Sequence, residues 1–367
     1  MTVALDGDTI RRLRLAHQQL VAPTLTDPAA VVSHLVAMQA QEYAMAKWAI
    51  GLRLADGGSD EAVESACDAG RILRLHVLRP TWHFVAAEDI RLVLQVTAKR
   101  VHQANAFMYR SLDLDTPRLE SFADLVRGLL AHGNHLTRKE IRAALPSGWV
   151  GDKGFDMAYL LMYAELQGVV CSGPRRGNQP TYALLVERAA CTPELSDDDA
   201  LAQFVGRYLR TRGPATVPDL TTWSGLTVSQ VKRALTLLGD EVTTVESDGR
   251  AYLLADGEPA GDLRSFLMPD YDEYGMAYKD RSAIAHPDHD YWTLPWNRAV
   301  VVDGVIAGAW QRTLRPDSVT VEVAMFDRPW DDSRVVGAAE EYARFLGREL
   351  DLRRASGEMR QLRSTGG

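Results

Sequence analysis

The sequence of 367 residues is poor in cysteine, with only Cys67, Cys171 and Cys191. An odd number of cysteines without paired spacing argues against a disulfide framework and against a structural zinc site. The chain also lacks any run of ~18 uninterrupted apolar residues, which a transmembrane helix requires. Its first ten residues, MTVALDGDTI, lack the basic start and apolar stretch of a secretory signal. We therefore expect a cytoplasmic protein that has no contact with a membrane.

Positive charge is also in short supply. The chain has 41 Lys and Arg against 49 Asp and Glu, which gives a formal net charge of -8. This balance disfavours a generic nucleic-acid binder, because phosphate contacts require local positive charge. Any nucleic-acid surface must therefore be a local cluster of basic residues. The length of the chain exceeds one typical hydrophobic core and predicts several small cores.

The stretch from Thr216 to Ala255 has the clearest pattern of elements. Thr216 and Pro218 are typical of a helix start, and Asp248-Gly249 is a favoured hairpin turn. The predicted elements are helices at 217–224 and 227–238 and strands at 242–245 and 251–254. Helix, turn, helix and hairpin in this order are typical of a winged-helix module.

The same order of elements recurs twice upstream, and in the middle copy Thr137 is predicted to cap a helix at 138–144. We therefore predict an α+β, helix-rich fold of three tandem winged-helix modules with a small strand-rich C-terminal cap. The predicted boundaries are a first winged helix at 8–86, a connecting helix at 87–111, a second winged helix at 112–190, a third at 196–260, the cap at 261–352 and a frayed tail at 353–367. Within the cap, the sequence predicts strands at 299–303, 304–313 and 319–325 and a helix at 332–350.

Basic residues occur in clusters, and four arginines are candidates for contacts with DNA: Arg79, Arg100, Arg175 and Arg176. Arg175 and Arg176 lie in the predicted hairpin loop SGPRRGNQP of the second module. A basic hairpin tip suits contact with a groove or with phosphates. The alternative for every basic cluster is an ordinary solvated surface.

Two short motifs lie within otherwise apolar stretches: Gln39-Ala40-Gln41 and Thr81-Trp82-His83. Taken alone they are weak signals, because glutamine is a good helix former and a histidine beside tryptophan is usually a core residue. With LRPTWHFV around the second motif and FLMPDYDEYGMAYKDR further downstream, however, the chain resembles the winged-helix, crosslink-unhooking DNA glycosylases of the AlkZ and YcaQ type. The resemblance spans nearly the whole chain.

The resemblance implies roles for the residues of both motifs. In that family a Q-x-Q or Q-x-D motif lies at the catalytic centre and a T-x-H motif lies close by. By matching motif, Gln39 and Gln41 would be catalytic, with Thr81 and His83 supporting them. The two-glutamine form resembles the antibiotic self-resistance branch more than the Q-x-D branch. The implied partner is double-stranded DNA that contains alkylated bases, and no cofactor is expected.

The chemistry of glutamine indicates what kind of base such a site releases. Most glycosidases use a carboxylate pair, whereas glutamine supplies no full negative charge but can hold a water and offer an amide oxygen to a developing cation. This suffices only for an unusually good leaving group. A purine alkylated on a ring nitrogen is already cationic and leaves as a neutral molecule. The sequence thus predicts a monofunctional DNA glycosylase for cationic purines such as bulky N7-alkylguanine adducts.

Three carboxylates in PDYDEY, Asp270, Asp272 and Glu273, are the main alternative to a glutamine site. They are candidates for activating water in an unrelated hydrolase or for binding a metal, or for structural caps and ion pairs with Lys279 and Arg281. The loop with His286, Asp288, His289 and Asp290 resembles a metal site in composition only, so we expect no metal. A different class of function, a non-catalytic winged-helix DNA-binding protein or transcriptional regulator, is the second hypothesis. In either case we expect a monomer associated with the nucleoid.

Overall fold

One order of elements, a helix, a short strand or bridge, two helices and a hairpin, occurs three times along the chain. The structure is a computed structural model that describes residues 5–151, 155–190, 195–255, 262–288 and 298–355. Its first part consists of α1 (Gly7–His17), α2 (Pro28–His34), β1 (Met38–Gln39), α3 (Tyr43–Gly51), α4 (Asp60–Asp68), β2 (Ile72–Val77) and β3 (Thr81–Ala86). The fold is α+β and helix-rich.

The second part begins with α5 (Ile90–Ser111), which packs against one helix of the second part and one of the third part. It continues with α6 (Thr116–Leu130), β4 (Leu136–Thr137), α7 (Arg138–Ala144), α8 (Phe155–Leu166), β5 (Val170–Arg176), β6 (Gln179–Leu184) and the short α9 (Leu185–Arg188). Thr137 and Glu140 form a reciprocal capping box that starts α7 at the predicted residue.

The third part has the boundaries that its caps predict. It consists of α10 (Asp197–Arg212), α11 (Val217–Ser224), α12 (Val228–Leu238), β7 (Thr243–Ser247) and β8 (Arg250–Leu254). Thr216 accepts a hydrogen bond from the backbone of Asp219, and Gly225 ends α11 in the left-handed conformation with φ 73°.

The last part is a five-stranded sheet covered by a helix. It contains β9 (Phe266–Met268), α13 (Glu273–Met276), β10 (Arg298–Val302), β11 (Val305–Leu314), β12 (Ser318–Met325), α14 (Ser333–Phe345) and β13 (Glu349–Arg354). The strand order is β13-β12-β11-β10-β9, with β12 and β13 parallel. The three predicted strands are present in this sheet.

The predictions for the end of the chain are wrong in two respects. The helix predicted at 332–350 ends at Phe345, because Gly347 takes a left-handed conformation with φ 62° and the chain then enters β13. The tail predicted to fray from 353 is part of β13 through Arg354. Residues 356–367 of that tail lie outside the described residues.

Three large hydrophobic clusters hold these parts together. One cluster combines the first part with the C-terminal sheet, a second combines the β2–β3 hairpin and α5 with the third part, and a third lies within the second part. Cys67 and Cys171 are buried free thiols, whereas Cys191 lies outside the described residues. Within the described chain, every helix is too short or too polar to cross a lipid bilayer.

Candidate active site

The two sequence motifs meet on adjacent strands. Gln39 on β1 is directly opposite His83 on β3. Opposite residues of an antiparallel pair point to the same face, and Thr81, two residues before His83, points there as well. The side chains of Gln39 and His83 are buried, and that of Thr81 is half-buried. The structure thus brings together three of the four predicted residues on one face of a small sheet.

These three side chains carry polar atoms that the protein leaves unsatisfied. Gln39 Oε1, His83 Nε2 and Thr81 Oγ1 are all buried, and none has a hydrogen-bond partner among the described residues. Buried polar atoms are nearly always paired with protein, ordered water or a ligand. A cluster of three such atoms on one face is therefore suited to hold a water or a polar group of a substrate.

The protonation state of His83 follows from its surroundings. Its Nδ1 lies 2.9 Å from the carbonyl oxygen of Thr81, which only accepts hydrogen bonds. Burial, together with the nearby Arg79 guanidinium, lowers the pKa of His83 to about 3. The ring is therefore neutral at physiological pH, with its proton on Nδ1 and a free lone pair on Nε2.

Gln41 lies in a loop that distinguishes the first repeat from the other two. In the second repeat Thr137 ends β4 and caps α7 at once, and in the third Thr216 caps α11 directly after the bridge at Ala215. In the first repeat, residues 40–42 separate β1 from α3. Gln41 is the middle residue of this insertion and is exposed to solvent.

Arg74 of β2 fixes the shape of this loop. Its guanidinium donates to the carbonyl oxygens of Ala40, at 3.0 Å, and of Gln41, at 3.3 Å. The same group lies 4.4 Å from the ring centroid of Trp82, on the face of the sheet opposite His83. The two glutamines consequently differ in environment, since Gln39 is buried and Gln41 faces solvent.

Glu273, one of the alternative carboxylates, lies directly behind Gln39. Its Oε1 accepts a hydrogen bond of 2.9 Å from the backbone N–H of Gln39. Its Oε2 accepts from Arg212, at 2.7 Å, and from the indole N–H of Trp223, at 2.8 Å. Glu273 and Arg212 are both buried. The carboxylate therefore contacts the backbone of Gln39 rather than its side chain.

The other two alternative carboxylates are also in ion pairs. Asp272 receives two hydrogen bonds from Arg53, at 2.8 and 2.9 Å, and both groups are buried. Asp270 pairs with Arg298 at 2.7 Å, while burial raises the pKa of Asp270 despite this arginine. The predicted cap is confirmed, because Asp272 accepts a hydrogen bond from the N–H of Tyr274 at the start of α13. The ion pairs that the structure shows for these carboxylates come from Arg53, Arg212 and Arg298 rather than from the expected Lys279 and Arg281.

Sequence reasoning missed Arg53, Arg212 and Trp223. A signal for Arg53 exists, because it follows the apolar stretch WAIGL, where a charge needs a buried partner. Arg212 gave no such signal, since it ends a helix that carries several other arginines.

The two arginines predicted at the second hairpin tip differ in exposure. Arg175 lies 4.4 Å above the ring of Tyr43 and 3.6 Å from Glu64, so it packs against the first part. Arg176 is half exposed and forms an ion pair with Glu140. Hydrogen bonds from Arg176 and from Thr137 lower the pKa of Glu140 to about 2. Of this pair, only Arg176 is well exposed at the hairpin tip.

Arg79 and Arg100 both lie at the C-terminal end of α11. Arg79 donates to the carbonyl oxygen of Thr222 at 3.4 Å, and Arg100 donates to that of Gly225 at 3.2 Å. Cations are favourable where helical carbonyls lack partners. The contacts that the structure gives these two arginines are therefore within the protein, and a role in binding DNA stays a prediction.

The loop whose composition resembles a metal site lies only partly within the described residues. His286 and Asp288 lie near Asp327, with one ligand atom of each within 4.8 Å of the others. His289 and Asp290 lie outside the described residues. Exposed groups of this kind are common on protein surfaces, and on their own they do not define a metal site.

Comparison with known proteins assigns the chemistry. The model of the family described as "DNA glycosylase AlkZ-like" matches residues 32–347, which include both motifs and the Glu273 pair. The chain is accordingly a DNA glycosylase, an enzyme that binds DNA and cleaves N-glycosidic bonds. It belongs to the AlkZ-like DNA glycosylase family.

Two relatives agree with this assignment. A Streptomyces sahachiroi protein named "Interstrand DNA cross-link repair glycosylase" is 26% identical over 331 residues, covering 81% of this chain and 85% of that protein. The solved structure of Streptomyces sahachiroi DNA glycosylase AlkZ matches the fold with a TM-score of 0.76 at 22% identity, over 95% of this chain and all of that one.

Proposed function

We propose that this glycosylase hydrolyses the bond between deoxyribose and cationic alkylated purines, such as bulky N7-alkylguanine adducts, in duplex DNA. Gln39 and Gln41 are the catalytic residues, with Thr81 and His83 in support. The observation that carries this proposal is the set of three unsatisfied polar atoms on Gln39, Thr81 and His83. The repair of interstrand cross-links, which the name of the Streptomyces relative states for that protein, is an extension of the same substrate class.

The charge of this face fits a cationic leaving group. The nearest carboxylate, Glu273, is neutralised by Arg212 and bonded to the backbone of Gln39. Glu273 is thus not available to a substrate as one member of the carboxylate pair that glycosidases use. The amide oxygen of Gln39 and the bare Nε2 of His83 instead present partial negative charge, which stabilises a sugar that is becoming positive.

The bond changes in the proposed reaction are those of simple hydrolysis. The N-glycosidic bond breaks, and its electron pair leaves with the purine, whose ring charge it neutralises. The oxygen of a water held between the glutamines forms the new bond to the sugar carbon and releases a proton to solvent. Because the leaving group needs no proton, neutral side chains suffice.

The enzyme must reach a sugar whose base is stacked in the duplex. Enzymes that act on bases usually extrude the nucleotide, at a few kcal/mol for unstacking. Gln39 is buried and Gln41 is exposed to solvent. This gradient of exposure suits a sugar that approaches from the loop at residues 40–42.

The test is single-turnover release of N7-methylguanine from duplex DNA. Wild-type protein should release this base, and Gln39→Ala and Gln41→Ala should each slow release on the order of a hundredfold. Both variants should bind duplex DNA as the wild type does, because neither substitution removes a charge. Tight binding of duplex by a wild type that releases neither this base nor bulkier N7 adducts would refute the proposed substrate class.

A further inference from the structure

We propose that Glu273 and Arg212 form a clamp that positions Gln39 for base release, an inference that rests on the function proposed above. In this role Glu273 is a positioning residue that acts through the backbone of the catalytic strand. The alternative roles for its carboxylate were activation of water or a purely structural ion pair.

The clamp occupies the edge of β1 that no strand of the described residues covers. β1 is an edge strand, and it pairs only with β3 in the sheet order β1-β3-β2. The N–H of Ala40 points to β3, where it donates to Trp82 at 2.8 Å. The N–H of Gln39 points the opposite way, as alternation along a strand requires, and donates to Glu273 at 2.9 Å.

Arg212 binds the same edge of the chain just before β1. Its Nη1 donates to the carbonyl oxygen of Leu35 and its Nη2 to that of Ala37, each at 2.9 Å. Its Nη2 also donates to Glu273, at 2.7 Å. The ion pair therefore binds two carbonyls and one N–H in the five residues that end at Gln39, much as a neighbouring strand would.

The clamp is itself held by other elements. Arg212 ends α10, Glu273 begins α13, and the indole of Trp223 on α11 donates to Glu273. The guanidinium of Arg212 lies 4.4 Å from the ring centroid of Trp223. A two-residue strand is weakly held by its own ladder. Its position is consequently set by buried side chains from the third part and the C-terminal part.

Precise placement of Gln39 matters for rate more than for binding. A misplacement of a reacting group by about 1 Å costs on the order of a hundredfold in rate. Loss of the clamp should thus lower base release while the affinity for duplex DNA is retained, because Glu273 and Arg212 are both buried and do not reach a surface that DNA could contact.

The neighbouring ion pair provides a matched control. Asp272 and Arg53 are as buried as Glu273 and Arg212 and have similar contact distances. Arg53, however, donates to the carbonyl of Ala49 and to Gln18, not to the segment that ends at Gln39. Asp272 also accepts a hydrogen bond from the backbone of Tyr274 at the start of α13, and asparagine serves equally well as that helix cap. A structural effect of losing a buried ion pair should appear in both pairs, and a positioning effect only in the first.

The experiment compares Glu273→Gln with Asp272→Asn. Each isosteric substitution leaves an arginine without its buried partner, and both should lower the melting temperature to a similar extent. At a temperature below the melting transitions of both variants, Glu273→Gln should slow single-turnover release of N7-methylguanine on the order of tenfold or more without weakening duplex binding. Asp272→Asn should release the base at the wild-type rate. Equal loss of rate in the two variants, or no loss in Glu273→Gln, would overturn the proposal.

A second pair of variants keeps the positive charge of each ion pair and replaces the first pair of variants if those do not fold. Arg212→Lys keeps the ion pair but loses the two carbonyl contacts, and Arg53→Lys is its control. Amide hydrogen exchange at Gln39 supplies a readout that does not depend on activity. Exchange should accelerate in Glu273→Gln and in Arg212→Lys but not in the two control variants. Unchanged exchange overturns the clamp, whereas accelerated exchange in a protein whose wild type releases no base overturns only the proposed function.

Discussion

At the scale of the residue, the site is built from neutral groups with unused hydrogen-bonding capacity. Gln39 offers an amide oxygen and His83 a bare ring nitrogen, both buried. A charged residue in the same position would need a partner to offset the cost of burial. The buried charges next to this strand, those of Glu273 and Arg212, do have such partners, because they form an ion pair with each other.

The neutrality of His83 predicts the pH dependence of the reaction. In the folded protein burial holds the pKa of His83 at about 3, below its ordinary value of 6.5. The folded state therefore gains no proton at His83 between pH 8 and about 5, and the single-turnover release rate should stay level through about pH 6.5. The measurement is that rate on N7-methylguanine DNA across this range.

The free energy of unfolding, unlike the rate, should change with pH. The unfolded chain protonates this histidine below about pH 6.5 and the folded protein does not, so the His83 contribution destabilises progressively as pH falls from 6.5 toward 3. The rate is accordingly measured on protein that a melting curve shows to be folded. A rate that titrates with a midpoint near 6.5 would contradict a neutral His83.

The sequence identifies the candidate residues of the site, Glu273 included, but not the contacts that join them. Gln39, Thr81 and His83 belong to short contiguous motifs that a resemblance can identify. The bond from Gln39 to Glu273 joins residues 234 positions apart, and the Arg212 pair spans 61 positions. Such partners follow from tertiary packing, which leaves no local signal in the sequence.

At the scale of the element, most boundaries follow from cap and turn chemistry. The threonine caps at Thr137 and Thr216 and the Asp248-Gly249 turn lie where the sequence predicts them. The helix predicted through Gly347 is wrong because a left-handed glycine outweighs the apolar periodicity that continues beyond it. The insertion at residues 40–42 is a difference between the three repeats of the structure that no pattern in the sequence marks.

The second hairpin carries a prediction about binding to DNA. Arg176 at its tip is half exposed and pairs with Glu140, and exposed pairs of this kind contribute little stability. A phosphate can thus compete for the arginine. Arg176→Ala should weaken binding of undamaged duplex and reduce the slope of log affinity against log salt concentration by about 0.9.

Glu140→Gln is the matched variant for this test. Glutamine also serves in a capping box, so α7 should keep its start at Thr137. Removing the competing carboxylate should free Arg176 and strengthen duplex binding at low salt. A binding titration at several salt concentrations measures both variants, and an unchanged salt slope in Arg176→Ala would exclude this hairpin tip from the interface.

At the scale of the whole molecule, the parts are joined by shared cores. The C-terminal sheet and the first repeat share one cluster, in which Trp48 and Trp310 both pack against Tyr342. Sequence patterning predicts each element but not which elements share a core, because periodicity identifies an apolar face without identifying its partner. The division into three winged-helix modules and a cap stays a prediction.

The acidic net charge leaves few cations that could contact DNA. Arg14, Arg53 and Arg212 are fully buried and contribute to packing rather than to the surface. General affinity for DNA should therefore be modest, and under the proposed function the chemistry of the lesion supplies the selectivity. An enzyme of this kind should discriminate by the charge of the base rather than by tight general binding.

The most direct test of the account compares two lesions that differ in charge. One duplex carries a single cationic N7-methylguanine and the other a single neutral O6-methylguanine at the same position. Single-turnover release by wild-type protein should be rapid from the first duplex and undetectable from the second. A neutral base leaves as an anion unless an acid protonates it, and neither the glutamines nor the neutral His83 supplies such an acid. Release of the neutral base at a comparable rate, or no release of the cationic base from a bound duplex, would contradict the account.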